Sequence, residues 1–232
     1  MKGIIFYTDS MIDEPIKSVV QKYVQASGLP IVSVSLAPLD FGRNIVVEGK
    51  RGYITYIKQI ITALEASNAD HVFFVEHDCL YPKCHFDFTP PRDDVYYYNR
   101  NVYRWKYGSY TAITYDRLLN LSCMCCARLL ALSHYRLIEK KIGDNPNKFG
   151  SKEPSLARKW GYEPGTKKKK RGGLTDEDFD TWCSEYPVVD IRHEGTFSPP
   201  KCTLSSFKHA PTNWQEILVE HVPGWNLLEM FK

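Results

Sequence analysis

His71-Val72-Phe73-Phe74-Val75-Glu76-His77-Asp78-Cys79-Leu80-Tyr81-Pro82 is the stretch that decides how this chain folds. Four apolar residues, two Val and two Phe, run straight into Glu76-His77-Asp78. A short run dense in β-branched and aromatic residues reads as a strand buried on both faces. If the strand persists, residues 76 and 78 point one way and His77 the other. Two carboxylates at the end of a buried strand are costly without a partner. A hard cation with a polyphosphate on its far side satisfies both. Capped loop amides at a polar strand end are the plain alternative. The first reading points to a metal-dependent enzyme acting on a nucleotide.

Outward from this stretch the pattern alternates. Gly3-Ile4-Ile5-Phe6-Tyr7-Thr8-Asp9 reads as a first buried strand ending in polar residues. Asp13-Glu14-Pro15 supplies an N-cap and a first-turn proline. Ile16, Val19, Val20, Tyr23 and Val24 follow at helical spacing, and Gly28-Leu29-Pro30 stops the helix. Residues 31–36 form a second strand and 40–52 a Gly-rich loop with Arg43, Lys50 and Arg51. Tyr53, Tyr56, Ile57, Ile60, Ile61 and Leu64 then mark one face of an amphipathic helix. This is the βαβ pattern of a doubly wound sheet, in which ligands bind beyond the carboxyl ends of the strands. Thr8, Asp9 and Glu76 to Asp78 all lie there.

The second half is less regular. Residues 95–115 are Tyr-rich and strand-like, broken at Gly108-Ser109, and 128–142 read as a helix. Residues 143–173 are a polar loop holding Lys167-Lys168-Lys169-Lys170-Arg171. A helix opens at Thr175 and runs over 175–185, and 187–191 form a last strand. The tail from 207 holds Trp214 and Trp225 among Pro and Gly and reads as a packed, irregular cover.

Composition bounds the class. The 232 residues are 43% hydrophobic, 25% charged and 13% aromatic, which suits one globular domain with a proper core and an aromatic-lined cleft. Net charge is +3, mild enough for a phosphate-bearing ligand and too mild for a dedicated nucleic-acid binder. The seven Cys lack a paired framework, and neither a signal peptide nor a membrane span is read, so reduced thiols in a cytoplasm are expected.

Arg43-Asn44, Gly49-Lys50-Arg51-Gly52, the amphipathic helix, Ala69-Asp70-His71, the apolar strand and Glu76-His77-Asp78 together resemble the nucleotide-sugar half of GT-A fold glycosyltransferases. The similarity is one of layout over residues 1–82. In that fold a D-x-D motif ends the corresponding strand and holds a metal on the donor diphosphate; this chain has Glu76 where the first Asp would stand. The resemblance implies a single GT-A-like α/β domain over 1–232, a mixed Rossmann-like sheet flanked by helices. Residues 1–82 would be its nucleotide-sugar half, 83–206 its acceptor and catalytic half, and 207–232 a C-terminal tail.

The same resemblance implies Mn²⁺ or Mg²⁺ held by Asp78, with Glu76 as a further ligand or ribose contact. It also implies a late His as third ligand, for which His193 stands in the expected order, although a lone His is commonly a hydrogen-bonded surface residue. Thr8, Asp9, Arg43, Lys50 and Arg51 are donor-site candidates, Asp9 towards the base and the cations towards the diphosphate. Thr175-Asp176-Glu177-Asp178-Phe179-Asp180 looks like the acidic motif that supplies the general base in inverting members. Asp178 is the first choice, with Glu177 and Asp180 beside it. Acids in a first helical turn also stabilise the helix dipole by about 0.3–1 kcal/mol.

The remaining features read plainly. The 167–171 run is a solvated loop, with a lid or a phosphate-contacting arm as the functional version. The aromatics of 96–115 pack in a sheet, or offer stacking platforms. Cys79, Cys84 and His85, or Cys123, Cys125 and Cys126, are wrongly spaced for zinc, so free buried thiols are expected. His77, His85, His209 and His221 carry no assigned role.

The function expected is a metal-dependent, inverting transfer of a sugar, hexosyltransferase-like, from a nucleoside-diphosphate sugar (a UDP-sugar foremost) to a hydroxyl acceptor such as a glycan. The alternatives are a glycosyltransferase acting on hydroxylated bases in DNA, a nucleotidyltransferase, and a non-catalytic nucleotide-sugar-binding protein. A nucleotidyltransferase would carry a Gly-rich basic signature where this chain has Thr8-Asp9-Ser10-Met11.

Overall fold

Strands β1 (Lys2–Tyr7) and β4 (His71–Glu76) lie side by side and parallel, Ile5 opposite Phe74 and Tyr7 opposite Glu76. The computed structural model describes residues 1–114, 118–144, 163–166, 179–196, 201–209 and 212–232. Side chains alternate across a strand, so each of these two feeds two cores. Ile4, Phe6, Phe73 and Val75 enter one, and Ile5, Tyr7, Val72 and Phe74 the other. All are buried, and removal of such side chains from water is the main stabilising contribution here, about 1.5–3 kcal/mol for each.

Helix α1 (Ile16–Gln25) covers the first face with Ile16, Val20 and Val24. Helices α2 (Tyr53–Ala66) and α3 (Arg128–Gly143) cover the second, bringing Ile57, Ile60, Leu64, Tyr135 and Ile138. Strands β2 (Ile31–Ser35) and β3 (Arg43–Val46) extend the sheet in parallel on the β1 side. Before the other side is built, the chain passes through β5 (Cys79–Leu80). That side is built from β9 (Met124–Ala127), antiparallel to β4, then β6 (Tyr96–Asn99) and β10 (Phe179–Trp182). The order is β10-β6-β9-β4-β1-β2-β3. The mixed α/β sheet flanked by helices is thus present as expected.

A second sheet departs from the expectation of one. Strands β7 (Val102–Lys106), β8 (Thr111–Thr114), β11 (Val188–Arg192) and β12 (Glu216–Leu218) join β5 in the order β12-β8-β7-β11-β5. The Tyr-rich stretch is therefore split between two sheets, and the first break falls at Asn99. This buried side chain donates to His85 Nδ1 at 3.0 Å and to Ser184 Oγ at 2.7 Å, while its carbonyl accepts from Asn101 N–H at 3.0 Å. Asn99 stabilises the turn that sends β7 away from β6.

Three local expectations are corrected. The 40–52 loop contains β3 at the sheet edge. Residues 179–182, expected inside a helix, form β10; Trp182 stacks on Phe88 at 4.2 Å and 5°, and Phe179 lies edge-on to Tyr98, so aromatic packing overrides the first-turn pattern. Asp13 does not cap α1 with its side chain; the helix starts behind Pro15, and Glu14 accepts from Ser18 N–H at 3.2 Å. The tail does pack, Trp225 donating to Pro187 O at 2.7 Å and meeting Tyr23 edge-on. No helix among the described residues is long and apolar enough to cross a membrane.

Candidate functional site

A cleft of about 320 Å³ opens over the carboxyl ends of β1, β2 and β4, with the polar face of β11 as its far wall. Of the donor-site candidates, Thr8, Asp9, Arg51 and Glu76 line it. Arg51 donates through Nε to Asp9 and through Nη2 to the Gly195 carbonyl, tying the first strand end to the turn after β11. Arg43 is not brought there; it lies on edge strand β3 and donates to Ala66 O at the end of α2, 3.1 Å away. Lys50 is exposed and does not line the cleft. Asp178, Glu177 and the 167–171 run lie outside the described residues, while Asp180 sits exposed on β10.

His77, Asp78 and His193 offer donor atoms that all lie within 4.8 Å of one another. His77 belongs here because β4 stops at Glu76 and the chain turns at 77–78, so the two-residue alternation ends before it can send His77 to the other face. Its Nδ1 contacts Thr8 Oγ1 and lies 3.7 Å from Asp9 Oδ1. His193 arrives from β11, which is locked to the motif by Ile191 N–H donating to Asp78 O at 2.8 Å. Its Nε2 is buried and makes no hydrogen bond among the described residues, standing 4.0 Å from Asp78 Oδ2.

That gap suits an ion better than a proton. Bonds of about 2.1 Å on each side span up to about 4.2 Å between two donors, whereas a hydrogen bond needs about 3 Å. The donor set of two imidazoles and a carboxylate suits a first-row divalent transition ion, Mn²⁺ among them, better than Mg²⁺, which favours oxygen ligands. Burial pushes the His193 pKa down, against the pull of Asp78, which favours the neutral ring a ligand must have. Gly195 N–H approaches His193 Nδ1 at 3.2 Å, so ligation through Nε2 would move the ring proton to Nδ1 and give up that weak contact, about 1 kcal/mol.

Glu76 stands apart from this trio. It groups instead with Asp78 and Cys79, and Tyr7 OH donates to its Oε1 at 3.1 Å. Burial pushes its carboxyl up to about 8, with Asp78 and Asp190 adding to the effect. Burial also raises Asp78, opposed by His77, Arg192 and His193. Burial likewise holds Cys79 as a thiol, and every described cysteine is free, as expected.

Several lining residues escaped the sequence reading. Asp190 and Arg192 occupy one face of β11 while Val189 and Ile191 fill the core, an alternation already visible in Val188-Val189-Asp190-Ile191-Arg192. Asp190 Oδ2 accepts from Arg192 Nη2 at 2.6 Å and from buried Arg104 Nε at 3.2 Å. Gln59, buried on α2, donates to Thr8 O at 2.6 Å and joins the ends of β1 and β2. Nothing in its helical periodicity distinguishes it from a surface glutamine.

No family model and no curated protein matches this sequence. Among solved structures the chain is similar to a glycosyltransferase involved in glycosylation of the major capsid of PBCV-1, at 10% identity and TM-score 0.45, covering 82% of this chain and 92% of that one. It is also similar to the glycosyltransferase GlyE of Streptococcus pneumoniae TIGR4 in two structures. The apo form gives 9% identity, TM-score 0.39 and 68% coverage of this chain, and the other gives 8%, 0.41 and 78%. The chain spans 42% and 44% of those two GlyE chains. At such identities none of them assigns a role to a residue of this chain.

Proposed function

We propose that this chain is a metal-dependent glycosyltransferase that moves a sugar from a nucleoside-diphosphate sugar, a UDP-sugar foremost, to a hydroxyl acceptor with inversion. The observation that carries it is the buried Nε2 of His193, without a hydrogen bond among the described residues, set 4.0 Å from Asp78 and beside His77 near the carboxyl ends of the parallel strands β1 and β4. Asp78, His77 and His193 would hold Mn²⁺ or Mg²⁺, with Glu76 behind Asp78 and hydrogen-bonded to Tyr7. Bound there, the ion would act as a Lewis acid and template for the departing diphosphate.

The chain's own groups do the rest. Arg51, fixed by Asp9 and Gly195, presents a guanidinium to phosphate oxygens without first having to be ordered. Tyr7, Tyr53 and Tyr56 give the cleft an aromatic wall suited to a base or a sugar face. An inverting transfer needs a carboxylate to take the acceptor proton on the face opposite the leaving group. Asp178 remains the proposed base, with Glu177 next to it.

The test is calorimetry with Mn²⁺ and a panel of nucleoside diphosphates, followed by hydrolysis of nucleotide sugars without acceptor. Asp78→Ala should abolish metal-dependent binding and reduce turnover at least about 100-fold. Binding of no nucleoside diphosphate, or binding indifferent to Asp78→Ala, would overturn the reading.

A further inference from the structure

We propose that Arg192, held in place by Asp190, is the second cation of a two-arginine clasp that grips a diphosphate across the metal site. The clasp rests on the transferase reading for its natural ligand but not for its chemistry. Asp190 Oδ2 is shared between Arg192 Nη2 at 2.6 Å and Arg104 Nε at 3.2 Å. Asp190 and Arg104 are buried, and Arg104 also donates to Lys201 O at 3.3 Å. A buried carboxylate braced by two guanidinium groups is a fixed element, and Arg192 lines the cleft together with Asp190.

Arg51 repeats the arrangement at the end of β1, with Asp9 as the bracing carboxylate and the Gly195 carbonyl as second anchor. Residues 192–195 therefore carry three parts of the site: Arg192 itself, the ring of His193, and the Gly195 carbonyl that fixes Arg51. A monoanion is satisfied by one guanidinium. Two braced cations lining one cleft with the cation site match an anion with two phosphoryl groups. Because neither arginine has to be ordered on binding, the attraction is not offset by lost side-chain freedom.

Asp190 is accordingly a positioning residue that acts through Arg192, and it does not take the acceptor proton. Inorganic pyrophosphate, titrated with and without Mn²⁺, is the probe, because it carries neither sugar nor base. Arg192→Gln should weaken pyrophosphate binding about 10-fold or more. Asp190→Asn should weaken it in the same direction while leaving the ratio of diphosphate to monophosphate affinity between wild type and Arg192→Gln. Arg192→Lys keeps the charge without the fork and serves if Asp190→Asn does not fold; it too should fall below wild type.

Pyrophosphate affinity within twofold of wild type in Arg192→Gln or Arg192→Lys would overturn the clasp. So would an Asp190→Asn enzyme that loses turnover with unchanged pyrophosphate affinity and KM, which would make Asp190 the proton acceptor. A wild-type chain that binds no pyrophosphate, with or without Mn²⁺, overturns it as well. Pyrophosphate binding lost in Arg192→Gln, in a chain that turns over no nucleotide sugar, sustains the clasp and removes the transferase.

Discussion

At Gly195 the backbone runs so close to its surroundings that a Cβ would collide with the Met11 carbonyl oxygen and lie 2.9 Å from Cε1 of His193. The collision is with backbone, which cannot swing aside as a flexible side chain can. Gly195→Ala should therefore displace the 193–196 turn, reducing Mn²⁺ affinity about 10-fold or more and stability by about 1–3 kcal/mol. Metal titration alongside a denaturant melt separates the two effects; unchanged metal affinity would mean that the turn does not set the His193 position. His77 carries the lesson of this scale. It sat inside the most informative stretch of the sequence, yet its direction depended on where one strand stopped, and a one-residue difference in a period of two reverses a side chain.

The elements that the sequence marked most clearly are those with unbroken apolar periodicity. Strands β1 and β4 and helices α2 and α3 fall within a residue or two of their expected bounds. Those misread are short and amphiphilic: β3 within a Gly-rich loop, and β10 within a pattern that opens like a helix. Helix α2 also shows what packing adds to pattern. Leu64 is fully buried against the sheet, so Leu64→Ala should cost about 2–5 kcal/mol in urea unfolding. Gln59→Leu should cost less, about 1–3 kcal/mol, because its bonds to Thr8 O and Val34 O are lost while the apolar contact remains. The second substitution should also weaken nucleotide binding, since those carbonyls belong to the strand ends under the cleft; binding as in wild type would remove Gln59 from the site.

For the whole molecule, buried His85 and partly buried Glu76 titrate in opposite senses. Burial depresses His85 to about 3 from an ordinary 6.5, so between those values the unfolded chain holds the extra proton and stability falls as pH falls. Glu76, raised to about 8 from 4.5, holds its proton in the folded state, so stability falls as pH rises through that window. Each contributes a slope of about 1.4 kcal/mol per pH unit, and between 4.5 and 6.5 the two offset each other. The metal-free protein should then show a stability plateau over that range with a fall on either side. Urea midpoints against pH check this: His85→Gln should flatten the acid side and Glu76→Gln the alkaline side, and slopes unaltered by either substitution would refute the assignment. By itself the sequence determined the α/β class, the central strands, the flanking helices and the acidic strand end, because hydrophobic periodicity is a local property that burial reads directly. Only the tertiary structure decided that His77 and His193 meet Asp78, that Arg43 lies elsewhere, and that Asp190 and Arg192 form the far wall. Those outcomes depend on where strands stop and which sheet each joins, which are settled by packing between segments more than one hundred residues apart, as for Asp78 and Ile191.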